Sequence, residues 1–325
     1  MKRFFQRKDV ILILKILIFL LLSWTVYEQV FHHQSLNNAI SIFRHSISAF
    51  AVLLIVFTIL LMPVNWWLES KKWQLLINKL EPISLVTSFK AVLSGITLGV
   101  ITPYRLGDYA GRLLVLRKTE PVSAIAVTMV GNFAQIIITV VTGLSSICFY
   151  LFLYGHIKPL CLILCCIGTF IFCYLLFDLY FHINLTANIL KRFSFYKIIS
   201  YYIEVLEKYH FKELSLLLLF SALRYVVFTA QYLALLNMFG IQGSILISIM
   251  LIAVIFIFQA VIPSITVVEL GVRGNLAVFF FSNISNNSLG ILSASFMLWL
   301  INLIVPALIG LIFIFKNKSI KSSAG

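Results

Sequence analysis

The chain has 325 residues, 61% of them hydrophobic and 11% charged, with a mean hydropathy of +1.04 and 25 Lys and Arg against 11 Asp and Glu. A soluble domain is nearer half apolar and a quarter charged, so this composition excludes a soluble globular enzyme, a disordered chain and a secreted disulfide scaffold. Apolar residues come in long continuous blocks rather than in alternation, which predicts a polytopic all-α membrane protein and not a β-barrel.

The N-terminus carries Lys2, Arg3, Arg7 and Lys8, and an apolar run over Val10–Val30 follows, interrupted by Lys15. The run is longer than a signal peptide and has no small-residue cleavage site near Trp24–Gln29, so it reads as a first spanning helix. Further blocks cover Ile47–Trp67, Ile83–Ile101, Val122–Leu153, Leu160–Phe181, Leu214–Phe239, Ile245–Ile262 and Leu289–Phe315. The blocks at 83–101 and 245–262 are short, and end beside Pro103 and Pro263. Such segments can enter and leave on one side.

Charge decides between the two topologies. If every block spans, the basic stretches 102–121 and 178–213 fall outside, against the positive-inside rule. If the two short blocks are re-entrant, six spans remain; nineteen Lys and Arg then lie inside and only Arg44, Lys158 and Arg273 outside. The expected architecture is therefore about six spanning helices plus two re-entrant segments in a single membrane domain over 1–325. Both termini are cytoplasmic, and the basic excess belongs to loops rather than to a nucleic-acid site.

The two short blocks share a context. Trp73, Leu76, Asn78 and Leu80 align at constant offset with Tyr232, Leu235, Asn237 and Phe239. Each copy then runs through a proline to an acid, a Leu-Gly pair and an arginine: Pro103 to Arg112, and Pro263 to Arg273. In the six-span topology the copies have opposite orientation. The expectation is an inverted repeat, with halves near 47–153 and 214–315, and a substrate path between them.

Charges at membrane depth cost at least about 2.5–3.5 kcal/mol each on insertion scales and mark candidate sites. One set is Arg105, Asp108 and Arg112, whose spacing allows pairing on a helix and leaves net positive charge suited to a phosphate. A second is Glu269 and Arg273. A third lies on helix faces: Asn65, Glu69 and Lys72; Ser221, Arg224 and Gln231; and Thr128, Asn132, Gln135 and Thr139. Those faces either glue helices together or line a hydrated cavity. Trp66, Trp67 and Trp73 read as an interfacial aromatic belt. The five cysteines, Cys148, Cys161, Cys165, Cys166 and Cys173, read as small hydrophobes packed in helices. His32, His33 and His45 are too scattered for a metal site. There is no phosphate loop, nucleophile elbow or HExxH motif, so neither cofactor nor metal is expected.

Asn65 to Trp73 (N-x3-E-x2-K-W), Thr102-Pro103-x-Arg105-x-Gly107-Asp108-x3-Arg112 and Pro263 to Arg273 together resemble the transmembrane, flippase-like domain of bacterial lysylphosphatidylglycerol synthases, over about residues 10–316. The resemblance implies a protein of the bacterial cytoplasmic (inner) membrane that moves a phospholipid or related anionic amphiphile between leaflets. It places Arg105, Asp108 and Arg112 in a first functional loop and Glu269 in a second. Asp108 stands where many members have Glu, and Ser-Ile-Thr-Val-Val replaces the usual glycine-rich turn after Pro263. The chain stops at Gly325, so the resemblance implies a stand-alone member without the soluble synthase domain.

The resulting expectation is a transporter-like lipid translocase rather than an enzyme. Arg105, Arg112 and Arg273 contact a lipid phosphate, Asp108 and Glu269 orient those arginines or receive a cationic headgroup, and the polar helix faces with Glu69, Arg224, Asn132 and Gln135 shelter the headgroup. Its partners are membrane lipids. Two rivals stand beside it: a membrane-embedded enzyme subunit of lipid or glycan assembly, and a non-catalytic partner of another membrane protein.

Overall fold

The computed structural model describes residues 48–102, 105–155, 157–182, 209–262 and 266–322, with backbone alone over 266–270 and 316–322. The expected first span (Val10–Val30), the three loop histidines, Pro103, Pro263, the basic residues within 183–208 and the side chain of Glu269 lie outside what is described. The described residues form helices α1 (Ala49–Ile77), α2 (Leu85–Ile101), α3 (Gly107–Leu113), α4 (Pro121–Tyr154), α5 (Pro159–Phe181), α6 (Phe211–Met238), α7 (Ile245–Val261), α8 (Thr266–Phe281), α9 (Ser288–Trp299) and α10 (Val305–Ser322). A π-helical turn, Leu300–Ile304, joins α9 to α10. Pro306 has no N–H to offer the carbonyl of Asn302, which favours the wider turn at this place.

Among the described residues, five helices are long and apolar enough to cross a membrane: α1, α4, α5, α6, and α9 run on through α10. They correspond to five of the six expected spans. The helices start where local chemistry allows. Ser48 and Ser84 accept the N–H groups of Ala51 and Thr87 at 3.1 and 3.2 Å. Pro121 and Pro159 open α4 and α5, where a missing N–H costs nothing. Helix α1 continues ten residues beyond its expected end at Trp67, through Glu69 and Lys72. These charges sit inside a helix because they neutralise one another there.

The two short helices behave as their length requires. Each has 17 residues, about 25 Å of rise against a hydrocarbon thickness of about 30 Å. Helix α3 folds back along α2, so the chain reverses direction. Gly111 makes this possible: a Cβ there would lie 2.5 Å from Gly95 Cα. Gly107 is pressed against the Leu98 carbonyl in the same way. Helix α8 likewise returns against α7 and continues to α9.

At the centre α1 and α6 lie antiparallel. Gln231 donates to the Thr58 carbonyl at 2.8 Å towards one end, and Lys79 meets Glu213 at 2.6 Å at the other. One apolar core gathers around Trp73, Leu76, Val92, Val127 and Val130; a second gathers around Tyr232, Leu235, Leu251, Phe281 and Ile291. Helix α5 lies at the edge of the first core, packed on α4; Tyr180, its one buried side chain, belongs to that core, and Leu176, Phe177, Leu179 and Phe181 pack against it.

Two expectations change. The three tryptophans form no belt, because only Trp67 faces outward while Trp66 and Trp73 are buried. Their rings lie under guanidinium groups: Arg224 is 5.3 Å from Trp66 and Arg112 is 5.9 Å from Trp73, a favourable cation–π placement for charges taken out of water. The cysteines are also less packed than expected. Cys161, Cys165 and Cys166 lie on the exposed surface of α5.

The loop before α4 is tied to the loop after α1 by a single side chain. Glu81 accepts the N–H groups of Arg117, Lys118 and Thr119 at 3.2, 3.0 and 3.0 Å, and the Thr119 hydroxyl at 2.9 Å. Slight burial pushes its carboxyl up, but the bonds from Lys118, Thr119 and Arg117 outweigh that and hold it below the usual carboxylate range. A depressed pKa in the folded state contributes stability above the ordinary carboxylate value, and that contribution is lost as pH falls through the lower, folded value. Hydrogen exchange of residues 115–119, corrected for intrinsic rates, should therefore rise on acidification. The Glu81→Gln protein should show the faster exchange already at neutral pH; equal exchange in both would disprove the tie.

Candidate functional site

Helix α1 carries Asn65, Glu69 and Lys72 on one face, and all three are buried. Glu69 is the hub. One carboxylate oxygen accepts Arg112 Nη2 at 3.0 Å; the other takes Lys72 Nζ at 2.8 Å and Arg224 Nη1. Helix α3 supplies Arg112, clamped again by Asp108 one turn earlier, with Nε at 3.1 Å and Nη2 at 3.0 Å. Helix α6 supplies Arg224, whose Nε donates to Asn65 Oδ1 at 2.9 Å. Asn65 in turn donates to Asn302 at 3.3 Å, and Asn302 donates to Gln231 at 3.0 Å. The chain of bonds therefore crosses four separate elements.

Desolvating a charge costs several kcal/mol, and only good geometry with filled hydrogen bonds offsets it. Here both oxygens of Glu69 are occupied, so it is a poor free base and a good structural anion. Lys72, Arg112 and Arg224 face Glu69 and Asp108, one cation in excess.

Beside this cluster lies a cavity of about 470 Å³. Arg105, Arg224 and Arg273 line it, from the turn before α3, from α6 and from α8. Gln135, Gln259 and Asn302 add amides, and Trp66, Tyr225 and Trp299 add aromatic walls. Several polar atoms of these walls are buried without a protein partner: the indole N–H groups of Trp66 and Trp299, Gln259 Nε2 and Gln135 Oε1. Orphaned buried donors are costly unless something fills them. Three of these four atoms are donors, which together with guanidinium suits an oxygen-rich anion. Arg105 is held at φ 54°, a left-handed conformation unusual for a residue other than glycine; such strain concentrates at functional sites. No group of three His, Cys, Asp or Glu able to hold a metal occurs among the described residues.

The expected residues thus separate into two places. Arg105, Arg224, Arg273 and Gln135 line the cavity. Glu69, Asp108 and Arg112 form the buried cluster behind Arg224, so Arg105 and Arg112 are not one pincer. Asn132 stands apart from the lining residues and donates to Tyr109 on α3 at 3.3 Å. Sequence reasoning passed over Gln259, Asn302, Trp299 and Tyr225. Gln259 and Asn302 carry a readable signal, because each is a carboxamide inside an otherwise apolar block, where the cost argument used for charges also applies. Trp299 and Tyr225 carry none, since an aromatic in a membrane helix is unremarkable.

The family model for the lysylphosphatidylglycerol synthase TM region matches residues 12–310. No curated protein and no solved structure matches the chain.

Proposed function

We propose that this chain, which belongs to the lysylphosphatidylglycerol synthase TM region family, holds an anionic lipid headgroup in the arginine-lined cavity and carries it between leaflets. The observation behind this reading is the cavity itself. Three arginines from three elements converge on one space among apolar helices, together with unpartnered amide and indole donors. A phosphate there would replace water around guanidinium groups that are otherwise expensive to keep, while acyl chains stay in the bilayer. The excess of lysine and arginine in the segments 69–82, 102–121 and 178–213 supports a cytoplasmic position for those loops and for both termini in a bacterial inner membrane.

The test is lipid movement in liposomes holding the purified protein, with fluorescent phospholipids of different headgroup. Wild-type protein should move an anionic phospholipid faster than empty liposomes do. A hydrogen bond to a charged group contributes about 1.5–3 kcal/mol, so Arg273→Gln and Gln259→Leu should each slow the movement about tenfold at matched insertion. Movement equal to that in empty liposomes, or untouched by both substitutions, would refute the reading.

A further inference from the structure

The two halves of the chain make matching contacts in reversed directions. Trp73 on α1 donates its indole N–H to Thr128 on α4 at 3.1 Å, and Tyr232 on α6 is hydrogen-bonded to Ser295 on α9. Trp73 and Tyr232 are the residues that the sequence aligns. Thr128 and Ser295 stand equally far from the starts of their helices, Pro121 and Ser288. The short helices repeat the pattern by exchange. Gly310 on α10 lies so close to Leu93 and Thr97 of α2 that no Cβ would fit; Gly143 on α4 lies as close to Ile257 of α7. Gly143 and Gly310 again share a register from Pro121 and Ser288, as do Thr97 and Ile257 from Leu85 and Ile245. Each short helix therefore packs against the last long helix of the opposite half.

Because α1 and α6 are antiparallel, the operation relating the halves is a two-fold axis across them. Asn65 and Arg224 occupy equivalent positions and are bonded to each other, which puts them beside that axis. The cavity lies there too. Trp66 and Tyr225 line it as one equivalent pair, and Gln135 and Asn302 as another.

The equivalence fails in one respect. In the second half, Gln259, Trp299 and Arg273 are walls of the cavity. Their equivalents in the first half are Gly99, Asn132 and Arg112, and helix α3 fills the space between these. Gly99 lies against Asp108, Asn132 bonds Tyr109, and Arg112 ends on Glu69.

We infer that α3 is a gate, and that the cavity is one of two vestibules related by the axis. The second vestibule, walled by Gly99, Asn132 and Arg112, is closed by α3 and latched by Glu69. It opens on the opposite face of the membrane when α8 closes the first. The inference rests on the proposed lipid reading: the headgroup stays beside the shared pairs Trp66/Tyr225 and Gln135/Asn302 while the gates exchange, as inverted repeats permit.

Thiol accessibility tests it. The full-length chain, with its five native cysteines replaced by serine, receives Gln259→Cys or Asn132→Cys and is reconstituted in sealed vesicles of defined orientation. A membrane-impermeant maleimide should reach Gln259→Cys from one face. It should reach Asn132→Cys only from the other face, about tenfold or more slowly, as befits a state populated at about 10% or less. Adding Gly111→Ala, which hinders docking of α3, should raise the rate at Asn132→Cys. If Asn132→Cys does not insert, Val100→Cys takes its place, since Val100 is the equivalent of Ala260, which lines the first cavity. Labelling of both sites from one face, or none at the Asn132 wall, overturns the gate. Lipid movement with both sites labelled from one face removes the gate and leaves the lipid reading. Opposite-face labelling without movement of any lipid keeps the gate and removes the lipid.

Discussion

Replacing Glu69 with glutamine should destabilise the fold by about 3–5 kcal/mol, the usual cost of breaking a buried ion pair from one side. The cost is at the upper end because one carboxylate serves Lys72, Arg112 and Arg224 together, and all three cations are buried. A glutamine fills the same volume, yet it has a single acceptor oxygen and no charge to set against them. Asp108→Asn should cost clearly less. Its side chain is 19% exposed, and Arg112 keeps its bond to Glu69. Thermal unfolding of the purified protein in detergent gives the comparison directly. Adding Lys72→Met to Glu69→Gln should recover part of the loss, by removing one stranded cation. An unchanged midpoint in the Glu69→Gln protein would mean that the cluster is solvated, contrary to its burial.

Gly111→Ala should be strongly damaging to the short hairpin, and Gly310→Ala should behave likewise. Overpacking a tight contact costs about 1–3 kcal/mol when side chains can move aside. Here they cannot, because the atoms in the way are backbone. At Gly111 a methyl would meet the Ser94 carbonyl and the Gly95 backbone; at Gly310 it would meet the Leu93 carbonyl. The helix pair must separate in each case: at Gly111 α3 loses its seat against α2, and at Gly310 α10 is pushed off α2. Gly168 is the control, since nothing lies within 4 Å of a Cβ placed there. Alanine at Gly168 should leave the melting midpoint unchanged or raise it slightly, because alanine favours a helix over glycine; losses of similar size at all three positions would mean that the close contacts do not set the cost.

Much of this was readable from the amino acids, and the reasons are specific. The run Ala49 to Trp67 announces a span because lipid leaves helix as the only solution for an uncharged stretch of that length. The short segments announce themselves through Pro103 and Pro263 and through the arginines that follow. Asn65, Glu69, Lys72 and Arg224 were marked by cost alone. Their mutual contact was not, because 155 residues separate Glu69 from Arg224 and helical spacing speaks only of one helix at a time. The assignment of Arg112 to a buried clamp and Arg105 to the cavity depends on the left-handed turn at Arg105, which no spacing rule foresees. Trp66 and Trp73 misled for a related reason. Tryptophan near a charge reads as a membrane boundary unless the charge is known to be buried beside it.

Helix α5 shows how unevenly the chain's letters are spent. Of its 23 residues only Tyr180 is buried; a few near its end touch the first core, and most of the others are offered to hydrocarbon. Many apolar alphabets would write such a segment equally well, so its spelling carries little information beyond "stay in oil". Helix α2, six residues shorter, is the opposite kind of text. With neighbours pressed against its backbone on two sides, every letter from Ala91 to Thr97 is dictated by another part of the sentence.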